Sequence, residues 1–144
     1  MGQYFSSVKY VNFEDIQIIC KNQKPSTIMI NTLLLNQQNC LIKTTISATQ
    51  EEHIINQFIQ QKQLSIYIII YGKNNNEDES IIKKYKQLKN LGFTNIFIYK
   101  GGLFEWLLLQ DIFGEEEFPT TSKENDILKY KPTSYYFINT NKIP

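Results

Sequence analysis

The sequence is poor in the residues that build disulfide frameworks and metal centres. It has two cysteines, Cys20 and Cys40, and one histidine, His53. Two cysteines cannot form the disulfide framework of a small secreted domain, and no C-x-x-C pair indicates a zinc or redox motif. A metal site would need carboxylates for most of its ligands, and we interpret His53 as a surface residue. The sequence therefore predicts neither a metal nor a cofactor.

The sequence also lacks a strong charge of one sign and a long apolar run. Its formal net charge is +1, and basic residues are interleaved with acidic ones, so no basic face indicates a nucleic-acid partner. No apolar stretch reaches the roughly 18 residues of a membrane-spanning helix, and none has the form of a secretory signal. We therefore expect a cytoplasmic location.

Hydrophobic patterns along the 144 residues alternate between those of helices and those of strands. Three short runs rich in β-branched residues, "STIMI", "SIYIIIY" and "NIFIY", predict buried strands, because runs that are apolar on both faces are typical of parallel sheets. Four helical patterns alternate with them, and the last is the strongly apolar "GGLFEWLLLQDIFG". This alternation predicts a central parallel sheet flanked by helices on both faces.

Local signals mark where several of these helices begin and end. Asn12 and Asp15 predict the start of the first helix, and Thr49 and Glu52 have capping-box spacing for the second. Gly92 fits the left-handed position that closes the third helix.

The segment from Lys100 to Trp106, "KGGLFEW", follows "LKNLGFTNIFIY" and resembles the closing segment of rhodanese-like domains. Preceding stretches occur in the matching order and spacing. "IMINTL" stands where the family has an Asp-x-Arg element, "NCLIKTTI" where it has a Gly-His-Ile-x-Gly-Ala stretch, and "IIIYGKNNNEDES" where it has the active-site strand and loop. The resemblance covers about Tyr10 to Gly114 and implies an α/β fold with a central parallel sheet of about five strands.

Departures from the family pattern fall on the residues that carry its chemistry. Active rhodanese-like sulfurtransferases place a cysteine at the end of the active-site strand, and here that position is Gly72 or at most its neighbours Tyr71 and Lys73, none of which is a cysteine. Because the thiolate is the nucleophile, no persulfide can form there. Asn31 and Leu33 stand at the Asp and Arg positions, and Cys40 stands at the His position, on a different loop. The resemblance therefore implies a degenerate active-site loop with the residues Gly72, Lys73, Asn74, Asn75, Asn76 and Glu77.

The charges of this loop oppose anion binding. Lys73 is followed by Glu77, Asp78 and Glu79, whose carboxylates would bond the free N–H groups at the helix start and repel thiosulfate or phosphate. The three asparagines could form a small-ligand cradle, but turn and helix-capping roles suit them better. We predict that the loop carries no catalysis.

The N-terminus matches a lipidation pattern. Met1-Gly2-Gln3-Tyr4-Phe5-Ser6 fits the M-G-x-x-x-[ST] motif for N-myristoylation, with Gly2 as the modified residue. A single myristoyl chain gives only marginal membrane binding, so a stable location would need a protein partner as well. Without the lipid, residues 1–9 would be a plain N-terminal arm.

The C-terminal residues 119–144 continue past the point where a rhodanese-like fold, residues 10–118 here, would be complete. They contain Tyr130, Tyr135, Tyr136 and Phe137, which are too apolar for a free tail. These aromatic residues either lie back on the domain or dock on another protein. We expect residues 10–118 to stay folded without the extension, and we consider the four aromatic residues candidates for binding a partner.

These observations predict a catalytically inactive rhodanese-like domain that acts as a protein-binding or structural module. Such a module could be a subunit of a larger cytoplasmic or cytoskeletal assembly, including that of a cilium, or a regulator in weak contact with a membrane. The alternative is an enzyme, a sulfurtransferase or a phosphatase-like protein, that uses Cys40 as a solvent-accessible thiol or a non-standard group.

Overall fold

Five strands and four α-helices alternate along the described part of the chain, which comprises residues 8–76 and 79–134 of a computed structural model. The strands are β1 (Lys9–Val11), β2 (Thr27–Asn31), β3 (Thr45–Ile46), β4 (Tyr67–Tyr71) and β5 (Asn95–Tyr99). The helices are α1 (Phe13–Lys21), α2 (Ala48–Gln60), α3 (Glu79–Asn90) and α4 (Gly102–Phe113). Two 3₁₀ turns, Leu35–Gln37 and Ile127–Tyr130, complete these elements.

The five strands run parallel in one sheet, in the order β1-β5-β4-β2-β3. β4 lies in the centre, where Ile69 is in register with Met29 of β2 and with Phe97 of β5. Helices α1 and α4 contribute to the apolar core on one face, and α2 and α3 to the core on the other. The predicted α/β fold, a parallel sheet of about five strands covered on both faces, is confirmed.

The two outer strands are the part of the sheet that hydrophobic patterns do not reveal. β1 has three residues and β3 has two, which is too short for a periodic pattern. Two of the three residues of β1 are exposed, because the strand lies at the edge of the sheet. The predicted arm, residues 1–9, overlaps this strand at Lys9, which pairs with Phe97.

Each of the four helices buries apolar side chains against the sheet. Ile16 of α1 and Trp106 of α4 are fully buried on one face of the sheet, and Ile55 of α2 and Ile81 of α3 are buried on the other. Trp106 is therefore a core residue. Burial of each large apolar side chain stabilises the fold by about 1.5–3 kcal/mol.

The first helix begins, and the third ends, as the sequence predicts. Asn12 Oδ1 accepts a hydrogen bond from the Asp15 backbone N–H at 3.1 Å, and the Asp15 carboxylate accepts one from the Asn12 N–H at 2.9 Å. This reciprocal pair is a capping box. Gly92, which follows α3, has a φ of +106° in the left-handed region.

The start of the second helix differs from the prediction. α2 begins at Ala48, with Ser47 in the capping position, so the capping box predicted from Thr49 and Glu52 is wrong. The Ser47 hydroxyl lies 3.1 Å from the Thr49 hydroxyl and caps no backbone N–H. The spacing of Thr49 and Glu52 matched a motif that this helix does not use.

The chain beyond α4 folds back over the domain as far as Tyr130, which is only 2% exposed. Phe118 is also buried, and the Pro119 carbonyl accepts hydrogen bonds from Trp106 Nε1 at 3.0 Å and from the Lys43 N–H at 3.1 Å. This part of the C-terminal extension therefore lies back on the domain itself, which was one of the two alternatives expected from the sequence. The boundary expected at residue 118 falls inside a packed segment, and Tyr130 is not available to a partner.

Several predicted site residues lie outside the described part of the chain. These are Gly2 with its lipidation pattern, Glu77 of the loop, and the aromatic residues Tyr135, Tyr136 and Phe137. Among the helices that are described, none is long and apolar enough to cross a membrane.

Candidate functional site

The candidate site lies where β4 ends at Tyr71 and the chain turns toward α3. In sheets of parallel strands, ligands bind at the carboxyl ends of the strands. The described part of the predicted loop, from Gly72 to Asn76, occupies this edge beside the amino end of α4. The geometry of these five residues and of their neighbours therefore decides what this edge can bind.

The loop itself closes the amino end of α4. The backbone N–H of Leu103 donates to the Gly72 carbonyl at 2.9 Å, and that of Phe104 donates to the Lys73 carbonyl at 2.9 Å. Both N–H groups belong to the first turn of α4, where a helix otherwise leaves free donors that can bind an anion. Because the loop carbonyls occupy them, these donors are not open to a persulfide or a phosphate.

Gly102 allows the loop and the helix to come this close. Its φ is +71°, in the left-handed region that favours glycine. A Cβ atom at Gly102 would lie 2.8 Å from the Gly72 carbonyl oxygen and 2.9 Å from the Asn74 backbone nitrogen. Both neighbours are backbone atoms that cannot move aside, so the second glycine of "GG" is required for α4 to pack on the loop.

The space beside Gly72 is filled. A Cβ atom at Gly72 would lie 2.8 Å from Ile81 Cδ1 and 3.0 Å from Thr32 Oγ1. Ile81 is itself buried in the core on the α3 side of the sheet. A cysteine at this position would require the end of the Ile81 side chain to shift, so the loop lacks the nucleophile and its surroundings are packed around a glycine.

Asn74 is the buried polar residue of the loop. Its Oδ1 accepts a hydrogen bond from the Asn76 backbone N–H at 2.9 Å, which is the turn role predicted for an asparagine here. Its Nδ2 donates to the Tyr130 carbonyl at 2.9 Å, and this second bond ties the loop to the folded-back C-terminal segment. Both ends of the amide are therefore bonded within the chain, as the turn role predicts.

Replacing Asn74 with alanine is expected to lower the free energy of unfolding by about 1–3 kcal/mol, because a buried carbonyl and a backbone N–H lose their partners. Urea unfolding followed by circular dichroism measures the change. The control is Asn75→Ala at the exposed neighbouring residue, for which we expect a change within about 0.5 kcal/mol. Equal losses in both variants would contradict the role of Asn74.

The charges around the loop oppose an anionic substrate. The first turn of α4 carries the carboxylate of Glu105, which accepts a hydrogen bond from the Tyr99 hydroxyl at 2.5 Å. A negative charge here stabilises the helix end and repels a second anion. Lys73 is exposed, and all fifteen basic residues of the chain are lysines, so no arginine can bind an oxyanion through two parallel hydrogen bonds.

An amide pair stands where the resemblance implied an ion pair. The buried side chain of Asn31 exchanges two hydrogen bonds with Gln38: Asn31 Nδ2 donates to Gln38 Oε1 at 3.0 Å, and Gln38 Nε2 donates to Asn31 Oδ1 at 2.8 Å. Leu33, at the Arg position, is buried in the apolar core. The role of Gln38 could not be predicted from the sequence, because its amide meets Asn31 only after the chain has passed through the first 3₁₀ turn.

Neither cysteine is placed to act as a nucleophile. Cys40 is 2% exposed, so the expectation of a solvent-accessible thiol is wrong. Its Sγ lies 3.4 Å from the Ser122 carbonyl, in the segment that folds back over the domain. Burial raises the pKa of the Cys40 thiol and raises that of Cys20 to about 11. Both thiols are therefore protonated and weakly reactive at neutral pH.

A cleft of about 860 Å³ lies between α2 and α3, and the sequence did not predict it. Its wall contains the ion pair between Glu51 and Lys84, two largely buried side chains. The other polar residues of the wall include acidic, basic and neutral ones: Asn31, Thr32, Glu52, Asn56, Ser80, Lys83 and Gln87.

His53 is exposed and does not line the cleft, which confirms it as a surface residue. In the described ranges, no group of His, Cys, Asp and Glu residues could hold a metal ion.

The fold and the site can be compared with those of known proteins. A family model described as "Rhodanese-like domain" matches residues 16–109. A crystal structure of the Alr3790 protein from Anabaena has a TM-score of 0.56 at 18% identity and covers 83% of this chain and 97% of that chain. A solution structure of the rhodanese-like domain from the same protein has a TM-score of 0.53 at 19% identity, covering 87% and 85%.

A third solved structure is that of an enzyme. The crystal structure of a thiosulfate sulfurtransferase from Pseudomonas aeruginosa has a TM-score of 0.55 at 14% identity, covering 74% of this chain and 20% of that chain. At these identities the three structures show a shared fold alone. No curated protein matches the chain.

Proposed function

The chain belongs to the rhodanese-like domain family, and we propose that it acts by binding another protein and not by transferring sulfur. The observation that carries this proposal is the environment of Gly72. It is the position where the resemblance places the reactive cysteine of the sulfurtransferases, and the adjacent space holds Ile81 and Thr32.

Three observations at the loop and at the amino end of α4 support the proposal that no sulfur is transferred. Sulfur transfer needs a thiolate nucleophile, and glycine has no side chain. It needs N–H donors directed at the persulfide, whereas two donors of the first turn of α4 are bonded to the Gly72 and Lys73 carbonyls. It needs positive potential for an anionic donor such as thiosulfate, whereas Glu105 places a carboxylate in the same turn. Each of these observations supports a binding role for the domain.

In the proposed role, the domain is a subunit or an adaptor of a larger cytoplasmic or cytoskeletal assembly, including that of a cilium. Tyr135, Tyr136 and Phe137 remain the candidate contacts, since aromatic side chains contribute strongly to protein interfaces. A myristoyl group on Gly2 would add a weak and reversible contact with a membrane. Tyr130, which is buried against the domain, is no longer a candidate.

Affinity purification from native cells, with both termini of the chain intact, tests the proposed role. We expect a partner protein to copurify in amounts comparable to those of the chain, and we expect a variant with alanine at Tyr135, Tyr136 and Phe137 to lose it. Tyr67→Ala is the control, because Tyr67 is an exposed aromatic residue on the sheet. A chain that runs alone through purification as a 17.0 kDa species would contradict the binding function.

A further inference from the structure

A groove with apolar walls lies between α1 and the sheet, on the face of the sheet that also carries α4. Its volume is about 260 Å³. Ile69 of β4 is buried, whereas Ile18 of α1 is 58% exposed and Tyr67 of β4 is 48% exposed. The groove therefore leaves apolar surface of both the helix and the sheet in contact with water. Its other lining residues are Val11, Asp15, Ile19, Thr27 and Phe97.

The walls of this groove suit a hydrocarbon better than a peptide. The rings of Tyr67 and Phe97 lie side by side on the sheet, with centroids 5.9 Å apart. The N–H and C=O groups of a sheet point to neighbouring strands and those of a helix are bonded along it, so neither wall offers backbone partners to a bound peptide. A peptide buried here would leave its own polar groups unsatisfied, whereas a saturated chain has none.

Polar side chains are few in the groove. Asp15, Thr27 and Tyr67 are the polar residues among the eight that line it. The Asp15 carboxylate is already used, because it accepts the hydrogen bond from the Asn12 N–H in the capping box of α1. The groove therefore has little to offer a strongly polar ligand. Its volume lies just below the range of about 300–1,000 Å³ that is typical for drug-sized ligands, which suits one narrow chain.

The amino end of β1 lies beside this groove. Lys9 is the first residue of β1 and pairs with Phe97, and its Nζ lies 6.0 Å from the centroid of the Phe97 ring. Gly2 precedes Lys9 by seven residues, and seven extended residues span at most about 24 Å. A group attached to Gly2 is therefore within reach of the groove, by chain length alone.

We propose that the groove binds a saturated fatty acyl chain, and that this chain is the myristoyl group on Gly2 of the same molecule. The proposal rests on the myristoylation that forms part of the proposed function, and it adds a site for the lipid on the domain. A single myristoyl chain binds a membrane only marginally, so an apolar groove on the protein competes with the membrane for it. Contact with a membrane then depends on release of the acyl chain from the groove.

Binding to the groove is tested first without lipidation. The full-length chain is expressed in a bacterial host without a myristoyltransferase and titrated with sodium myristate below its micellar concentration. In methyl NMR spectra, we expect saturable shifts at Ile18, Ile19 and Ile69 and none at Ile112 of α4. Absence of shifts at the three groove residues, or equal shifts at Ile112, would overturn the proposal.

Matched variants locate the site. Ile18→Glu places a carboxylate in the groove and should weaken binding of myristate at least about tenfold. Ile112→Glu introduces the same charge at an apolar position that is 69% exposed and does not line the groove, and it should leave binding unchanged. Circular dichroism of both variants verifies that the fold is intact. Equal losses in the two variants would contradict a site in the groove.

The lipidated chain tests the source of the acyl group. Coexpression with an N-myristoyltransferase should add one myristoyl group, which intact-mass spectrometry detects, and Gly2→Ala should prevent it. Without added myristate, the lipidated chain should show the same shifts at Ile18, Ile19 and Ile69 relative to Gly2→Ala. Lipidated Ile18→Glu should bind neutral phosphatidylcholine vesicles about tenfold more tightly than the lipidated wild type, because the groove no longer competes, and lipidated Ile112→Glu should bind as the wild type does.

Other outcomes would identify other occupants of the groove. If the shifts at the groove appear on comparison of the unlipidated chain with its Tyr4→Ser/Phe5→Ser variant, the occupant is the aromatic N-terminal segment and not the lipid. A dimer that Ile18→Glu dissociates would identify a second copy. A lipidated chain without shifts at the groove would exclude the myristoyl group. Copurification of a partner protein does not depend on any of these results, so the binding function and the groove can fail separately.

Discussion

Removal of residues 119–144 is expected to leave a chain that no longer folds cooperatively, although the family match ends at residue 109. The deletion takes away Tyr130, which is 2% exposed and belongs to the core on the α1 and α4 side. Loss of a buried aromatic side chain from a core costs about 3–5 kcal/mol.

Hydrogen bonds add to this loss. Trp106 Nε1 and the Lys43 N–H both lose their acceptor, the Pro119 carbonyl, and the Leu41 carbonyl loses the Thr121 N–H. A buried group such as Trp106 Nε1 that is left without a partner costs about 1–3 kcal/mol, whereas the N–H of the exposed Lys43 can bond water. Domains of this size have unfolding free energies of about 5–15 kcal/mol, so the combined loss is enough to unfold the domain.

The measurement is a thermal melt followed by far-UV and near-UV circular dichroism, on the chain ending at residue 118 and on one ending at residue 134. The shorter chain should give no cooperative transition, and the longer chain should melt as the full chain does. A sharp transition for the chain ending at residue 118 would show that residues 10–118 fold by themselves, as the sequence alone suggested.

The contacts of residues 119–130 with the domain could not be predicted from the sequence, for a physical reason. Between Phe118 and Tyr130 most residues are polar or charged, and such a composition is typical of a solvated linker. The backbone of this segment is nevertheless held at separate points, by the antiparallel bridge between Ile42 and Thr120 and by the Asn74 side chain at the Tyr130 carbonyl. These contacts join residues that are far apart in the sequence, so a local sequence pattern cannot predict them.

The central part of the fold was predictable because its signals are local. The strands β2, β4 and β5 are buried on both faces and read as apolar runs, and the Asn12 capping box and the left-handed Gly92 depend on neighbouring residues only. The edge strands β1 and β3 are too short and too exposed to give a comparable signal. The resemblance to rhodanese-like domains, which rests on the order of the motifs, predicted a sheet of about five strands. Hydrophobic periodicity alone predicted only three of them.

For the candidate site, the sequence identified what is missing but not what replaces it. The absence of a cysteine at Gly72 follows from the order of the motifs. The Ile81 side chain beside Gly72, and the pairing of Asn31 with Gln38, became visible only in three dimensions. The burial of Cys40 was missed because the residues that cover it, including Ser122, lie in the segment that was expected to be an extension.

Sulfur transfer from thiosulfate to cyanide is the most direct test of whether this rhodanese-like domain is inactive. In that reaction, a cysteine thiolate attacks the outer sulfur of thiosulfate and displaces sulfite, and cyanide then takes the sulfur from the persulfide as thiocyanate. With glycine at position 72, a buried thiol at Cys40 and a partly buried thiol at Cys20, both of raised pKa, we expect no group of the chain to perform the first step.

The assay measures thiocyanate production by the purified full-length chain, and intact-mass spectrometry after incubation with thiosulfate alone detects any persulfide. We expect no thiocyanate above that of a heat-denatured control, no added sulfur on the chain, and the same result for Cys40→Ser. Sulfur transfer by the wild-type chain that Cys40→Ser abolishes would contradict the account and would make this protein a sulfurtransferase with a relocated nucleophile.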